Sequence, residues 1–108
     1  MPIPEVLAAE LGGTEYLLDV REDDEWIAGH APQAVHVPMM TVPARLGDVP
    51  ADQEVVVVCR SGVRSAQVVA YLRANGYDNV TNLADGMHGW ARAGRPMVCE
   101  QAGVPTVI

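Results

Sequence analysis

Short apolar runs alternate with stretches of helical pattern along the chain. The clearest run is four consecutive valines, Val55 to Val58, between Glu54 and Cys59. Because valine is β-branched and the run contains no polar residue, it predicts a strand buried on both faces, as in a parallel sheet. The alternation of such runs with helical segments is typical of an α/β fold.

Shorter patterns predict the other elements of this fold. Strands are predicted over residues 16–20, 34–37, 54–59 and 79–83. The helices are predicted from their start and stop signals, including Gly29 and Gly76, over residues 4–11, 22–28, 64–75 and 86–93. The first of them rests on Pro4 in its first turn and on the Gly12-Gly13 pair after it. Residues 40–46 are weakly helical, and residues 94–108 show no clear period.

Length, charge and cysteine content limit the classes of protein. A chain of 108 residues fits a single domain over residues 1–108, with a core at about 4–96 and a short tail at 97–108. The net charge of -7 disfavours nucleic acid and anionic membranes as partners. No segment has the pattern of a signal peptide or a membrane helix. Two cysteines are too few for a disulfide framework, so a cytoplasmic location is predicted.

The segment from Cys59 to Ser65 carries the candidate chemistry. It connects the valine strand to the next helix, at the carboxyl end of a parallel strand, where open sheets bind ligands. A tight loop before a helix turns several backbone N–H groups inward and forms an anion-binding nest. Gly62 permits a backbone conformation that is closed to other residues.

Arginines surround this loop in the sequence. Between Val55 and Tyr77 there are three of them, Arg60, Arg64 and Arg73, and no acidic residue. Nearby cations and a helix N-terminus favour a thiolate, so the pKa of Cys59 is predicted to be lowered. The alternative is that Cys59 is only a small buried hydrophobe at the end of a core strand. The glycine and the flanking arginines favour the reactive thiolate.

Motifs along most of the chain resemble those of the rhodanese family. The segment Cys59–Ser65 is similar to the family's active-site loop, in which CRSGxRS is common. Further matches follow in the family's order, at 18–22 (LDVRE), 25–30 (EWxxGH), 34–38 (AVHVP), 76–83 and 86–90 (GMxxW). Two positions depart from the pattern, since Gln33 and Asp85 stand where the family often has glycine, and either residue is a candidate for strain in its turn.

The resemblance implies a five-stranded parallel sheet flanked by helices on both faces. It also implies a sulfurtransferase in which Cys59 carries sulfur as a persulfide, taken from a donor such as thiosulfate and given to cyanide or a thiol. The substrate-binding loop would comprise Arg60, Ser61, Gly62, Val63 and Arg64. Ser61 is a candidate to hydrogen-bond the sulfur, and Arg64 either attracts the anionic donor or points outward into a structural ion pair.

Several residues near the loop are expected to be structural. Asp19 and Arg21, at the end of a strand, are predicted to form an ion pair behind the site, and Ser65 is expected to support the loop. The histidines have no metal-ligand spacing, and neither a metal nor another cofactor is expected. Cys99 is interpreted as an incidental thiol, with a resolving thiol for Cys59 as the alternative.

Three functions compete on the sequence alone. The first is a sulfurtransferase. The second is a sulfur-carrier or interaction module that a protein donor loads and a protein acceptor reads. The third is a phosphatase or arsenate reductase, which the loop length disfavours, because Cys59 to Arg64 is C-x4-R and cysteine phosphatases use the wider C-x5-R.

Overall fold

Five strands form one parallel sheet in the computed structural model, which describes residues 2–108. Across the sheet they lie in the order β1-β5-β4-β2-β3. Their bounds are β1 (Glu5–Val6), β2 (Tyr16–Asp19), β3 (Val35–His36), β4 (Val55–Val58) and β5 (Val80–Leu83). The valine run is therefore the central strand β4, and all its valines are buried. The predicted α/β fold with a five-stranded parallel sheet is confirmed.

Helices cover both faces of the sheet. They are α1 (Asp23–Ala28), α2 (Val63–Ala74) and α3 (Gly86–Arg92), with two 3-10 segments at Ala8–Glu10 and Met39–Asp48. Successive side chains of a strand point to opposite faces, so the β4 valines divide between two core clusters. Val55 and Val57 pack with α2, while Val56 and Val58 pack with α3. The two clusters confirm the prediction of helices on both faces.

The predicted helix from Pro4 to Leu11 is wrong. Its first part is strand β1, which pairs in parallel with β5, and its second part is the short 3-10 segment. The carbonyl groups of Pro4 and Val6 accept hydrogen bonds from the N–H groups of Asn82 and Ala84, at 2.9 Å each. Hydrogen bonds to a distant strand thus satisfy the backbone that a helix would have satisfied locally.

The tail beyond Gly94 packs against the body of the protein although its sequence shows no period. Val98 forms an antiparallel bridge with His30, and the Thr106 N–H donates to the Ala28 carbonyl at 2.9 Å. The His30 ring also lies 2.8 Å from the Glu100 carboxylate. These contacts fasten the tail to the end of α1. In the described part of the chain, every helix is too short or too polar to cross a membrane.

The packing of α2 on the sheet yields a stability prediction. Leu72 is fully buried between α2 and β4, whereas Leu7 is 48% exposed. We expect Leu72→Ala to lower the free energy of unfolding by about 2 to 5 kcal/mol, because it removes buried contacts and leaves a cavity. Leu7→Ala is the matched control and should cost about 0.5 kcal/mol or less. Denaturant titration of both variants measures the difference, and equal losses would contradict the assigned packing.

Candidate active site

Cys59 follows β4 directly, at the carboxyl end of the sheet, where β2, β4 and β5 all end. Its side chain is only 1% exposed and belongs to the core cluster on the α2 face. Burial alone agrees with a structural cysteine. The sulfur, however, lies within hydrogen-bond distance of two donors, the Gly62 N–H at 3.1 Å and the Ser65 Oγ at 3.2 Å. A side chain with only a packing role does not need these donors.

Gly62 makes the turn from the loop into α2. Its φ is +98°, in the left-handed region, as the sequence led us to expect. A Cβ at this position would also clash with the backbone carbonyl of Ala84. Any other residue would therefore displace the N–H group that points at the Cys59 sulfur.

A second glycine fixes the loop from the side of α3. Gly86 has a φ of +58°, and a Cβ there would lie 2.5 Å from the Arg60 carbonyl oxygen and 2.7 Å from that of Cys59. The close approach allows the next two backbone N–H groups to hold the same carbonyls. Met87 donates to Cys59 at 2.9 Å, and His88 donates to Arg60 at 3.1 Å. The backbone of the loop is thus anchored from outside the loop.

Hydrogen bonds lower the pKa of Cys59. Burial is the largest single effect and would raise this pKa. The Ser65 hydroxyl and the backbone N–H groups of Ser65, Ser61 and Gly62 stabilise the thiolate and together outweigh it, so the pKa lies below that of an ordinary cysteine. The predicted direction is present. Its main cause is the set of hydrogen bonds, which include N–H groups at the start of α2, and the charge of Arg64 makes a smaller contribution.

Arg64 does not present a free charge to the site. Its guanidinium forms a two-point pair with Glu25 of α1, with distances of 2.7 and 2.9 Å. Of the two alternatives open for Arg64, the structure shows the ion pair. The pair lowers the pKa of Glu25 and raises that of Arg64, in each case chiefly through these hydrogen bonds. Arg60 is exposed and, within residues 2–108, takes part in no ion pair.

The predicted pair of Asp19 and Arg21 is present and fully buried. Arg21 donates to the Asp19 carboxylate through Nε and Nη2, with a shortest distance of 2.8 Å, and Nη2 also donates to the Gly29 carbonyl at 2.7 Å. The pair therefore ties the end of β2 to the end of α1. Because α1 carries Glu25, this pair helps to place the partner of Arg64.

Ser61, the predicted hydrogen-bond partner of the sulfur, is exposed and contributes through its backbone N–H. The hydroxyl at the sulfur belongs to Ser65, for which only a supporting role was predicted. Sequence reasoning missed Glu25 and Asn82. Asn82 Oδ1 lies 2.5 Å from the Ser65 Oγ. The available signal was that Asn82 is a polar residue inside a predicted buried strand, where side chains need hydrogen-bond partners.

The two departures from the motif do not strain their turns. Within residues 2–108 only glycines have positive φ, so Gln33 and Asp85 both adopt ordinary backbone conformations. Asp85 gains a contact of its own, since its carboxylate accepts the Ala8 N–H at 3.0 Å. Gly89, one turn along α3, leaves the space that the Asp85 side chain occupies.

Cys99 lies in the tail as a free thiol, and Cys59 is also free. The Cys99 Sγ is 3.1 Å from the Gln101 carbonyl oxygen and thus contacts its own turn. This local contact is what an incidental thiol would make.

Comparisons with known proteins agree with the motifs. Residues 4–93 match the sequence profile of the rhodanese-like domain. A sulfurtransferase from Allochromatium vinosum is 42% identical over 99 residues, covering 90% of this chain and 92% of that protein. The thiosulfate sulfurtransferase GlpE from Actinobacillus succinogenes is 36% identical over 81 residues, covering 75% of this chain and 73% of that protein. The crystal structure of a rhodanese-like domain protein from Staphylococcus aureus superposes with a TM-score of 0.76 at 37% identity, covering 82% of this chain and 91% of that protein.

The pairing of Arg64 with Glu25 predicts opposing effects on the pKa of Cys59. Arg64→Ala leaves the carboxylate uncompensated and should raise that pKa, and Glu25→Gln leaves the guanidinium uncompensated and should lower it. Alkylation of Cys59 near neutral pH should slow by about threefold to tenfold in Arg64→Ala and quicken by a similar factor in Glu25→Gln. The double variant should return close to the wild-type rate.

The pH dependence of alkylation, in a Cys99→Ser background, measures this cycle. Arg73→Ala is the matched control, because it removes an exposed charge more than two turns further along α2. A double variant that shifts as far as Arg64→Ala alone would show that Glu25 does not act at the sulfur.

Proposed function

The chain belongs to the family of rhodanese-like domains, and from that premise we propose that it moves a sulfane sulfur from an anionic donor to a thiophilic acceptor. Thiosulfate is the proposed donor, and cyanide or a thiol is the proposed acceptor. The observation that carries the proposal is the Cys59 sulfur, which two hydrogen-bond donors hold at the carboxyl end of β4. Because these donors lower the pKa of Cys59, they favour the thiolate, which is the nucleophilic form of cysteine.

The first half of the reaction loads the cysteine. The Cys59 thiolate attacks the outer sulfur of thiosulfate, a new S–S bond forms, and the old S–S bond breaks with its electron pair leaving on sulfite. Cys59 then carries a persulfide whose negative charge resides on the outer sulfur. The backbone N–H groups of the loop are suited to stabilise this charge, because they are already oriented before the reaction.

The second half regenerates the thiolate. The acceptor attacks the outer sulfur and removes it, and the electron pair of the broken S–S bond returns to Cys59. With cyanide the product is thiocyanate. The cycle is ping-pong, because the first product leaves before the acceptor reacts.

The proposed substrate loop comprises five residues with different roles. Arg60 follows Cys59 directly, is exposed, and would attract the anionic donor through its charge. Ser61 and Gly62 supply backbone N–H groups, and Val63 and Arg64 begin α2. Behind the loop, Ser65 contacts the sulfur, while Asp19 and Arg21 keep α1 in place.

Exposed apolar side chains on α2 and on the 3-10 segment beside it favour a second candidate, a carrier that exchanges sulfur with other proteins. Val63, at the loop, is 66% exposed, and Met40 is 81% exposed beside a groove lined by Val42 and Tyr71. Apolar surface of this kind is typical of protein contact sites. Thiocyanate formation at enzymatic rates with small molecules favours the enzyme, and loading without turnover favours the carrier.

We predict that Cys59 is the only sulfur-carrying residue. Exposure to thiosulfate should add the mass of one sulfur to the wild-type protein and nothing to Cys59→Ser. Cys99→Ser is the matched control and should still load, with thiocyanate formation within about threefold of wild type, because the Cys99 thiol hydrogen-bonds within its own turn. Intact-protein mass spectrometry and a thiocyanate assay give the two readouts. Sulfur uptake by Cys59→Ser would refute the assignment.

We predict that aryl phosphates are not hydrolysed at a rate comparable to sulfur transfer. The loop from Cys59 to Arg64 is one residue shorter than C-x5-R, and its arginine is engaged by Glu25 instead of facing a bound phosphate. Without that arginine, developing charge on the phosphate oxygens is not compensated. Release of the aryl alcohol at such a rate in wild type, abolished in Cys59→Ser, would contradict this prediction.

A further inference from the structure

Asn82 is a buried polar residue next to the donors of Cys59. It lies on β5 and is 1% exposed. Its amide nitrogen donates to the Gly62 carbonyl at 3.1 Å and to the Glu5 carboxylate at 2.9 Å. Its amide oxygen lies 2.5 Å from the Ser65 hydroxyl. Asn82 therefore contacts Gly62 and Ser65, two of the residues that donate hydrogen bonds to the Cys59 sulfur.

These partners fix the orientation of the Asn82 amide. The Gly62 carbonyl and the Glu5 carboxylate can only accept hydrogen bonds, so the NH₂ group must face them. The oxygen Oδ1 must then face Ser65. A flipped amide would place two acceptors against Oδ1 and leave the NH₂ group at the hydroxyl.

The Ser65 hydroxyl has one proton and two acceptors within reach. Oγ lies 2.5 Å from Asn82 Oδ1 and 3.2 Å from Cys59 Sγ. A hydroxyl donates one hydrogen bond and accepts others, so Ser65 donates to only one of these atoms at a time. Asn82 and Cys59 thus compete for the one hydrogen bond that the Ser65 hydroxyl can donate.

We propose that Asn82 is a positioning residue. It accepts the hydrogen bond of the Ser65 hydroxyl whenever the Cys59 sulfur carries no charge, and the hydroxyl turns to donate to the sulfur instead when the thiolate forms. With a neutral thiol, the S–H donates to Ser65 Oγ and the Ser65 O–H donates to Asn82. On ionisation the thiol proton leaves to solvent, and the Ser65 O–H turns to the thiolate without breaking a covalent bond.

The persulfide returns the hydroxyl to Asn82. In that state the charge is on the outer sulfur and Sγ is uncharged, so Oδ1 is again the better acceptor. The thiolate leaves Oδ1 without its donor, and an unpaired buried carbonyl is unfavourable. Asn82 therefore destabilises the thiolate relative to the loaded state. This consequence rests on the proposed function, whereas the competition for the proton does not.

Most other charged groups around Cys59 are paired or exposed. The ionisable residues on the loop, on the elements packed around it and on the connection from β5 to α3 include Glu5, Asp19, Arg21, Glu25, Arg60, Arg64, Arg73, Asp85 and His88. Asp19 is paired with Arg21 and Glu25 with Arg64, while Glu5 and Arg60 are exposed. None of these groups contacts the Ser65 hydroxyl, whose partners in residues 2–108 are Sγ and Oδ1. The contribution of Asn82 can thus be separated from theirs by removing Ser65.

The test measures the pKa of Cys59 by the pH dependence of alkylation and by thiolate absorbance, in a Cys99→Ser background. Neither readout needs sulfur transfer, so the proposed function can fail without this proposal failing. Ser65→Ala should raise the pKa of Cys59, because the thiolate loses a donor. Asn82→Leu should lower it and speed alkylation at acidic pH by about threefold to tenfold, because Ser65 then donates to the sulfur without competition.

The decisive comparison adds the Asn82 change to Ser65→Ala. If Asn82 acts through the hydroxyl, Asn82→Leu leaves the pKa unchanged in that background. An equal change with and without Ser65, or a raised pKa in Asn82→Leu alone, overturns the proposal. Asn82→Ala removes the same acceptor at smaller volume and decides the outcome if the leucine variant does not fold. Asn79→Leu is the matched control and should leave the pKa of Cys59 unchanged. Asn79 lies just before β5, away from the sulfur, and its side-chain amide donates to two backbone carbonyls.

Discussion

The backbone of the Cys59 loop packs directly on the connection between β5 and α3, and the geometry of the site depends on this contact. Gly62 faces the Ala84 carbonyl, and Gly86 faces the carbonyls of Cys59 and Arg60, with no room for a Cβ at either glycine. The N–H groups of Met87 and His88 then hold the loop carbonyls. Because these carbonyls are held from outside, the N–H groups of the loop remain free to face the sulfur.

The charge pattern of the sequence differs from the charge pattern of the folded site. Three arginines without an acidic neighbour between Val55 and Tyr77 suggested a cationic pocket. Folding brings Glu25 to Arg64 from 39 residues away and neutralises that charge. The lowered pKa of Cys59 therefore arises chiefly from short-range hydrogen bonds, which salt screens less than it screens exposed charges.

Much of the fold could be predicted because its signals are local. The valine run, the glycine stops and the motif order place β2 to β5 and all three α-helices within a residue or two. Strand β1 could not be predicted, since two residues carry too little pattern and only pairing with β5 makes them a strand. The Ser65 hydroxyl and Asn82 are also results of tertiary structure. Sequence reasoning identified the loop but not which of its two serines faces inward.

The parallel pairing of β1 with β5 has a consequence for how the chain is made. Glu5 and Asn82 are 77 residues apart, so this edge of the sheet cannot close until β5 has been synthesised. Non-local pairing of this kind is slow to form, because the intervening loop must first be ordered. A nascent chain that has released Cys59 but not β5 lacks Asn82 and the support for Gly62. The contacts that hold the Cys59 loop from β5 and α3 therefore form only after these last elements have left the ribosome.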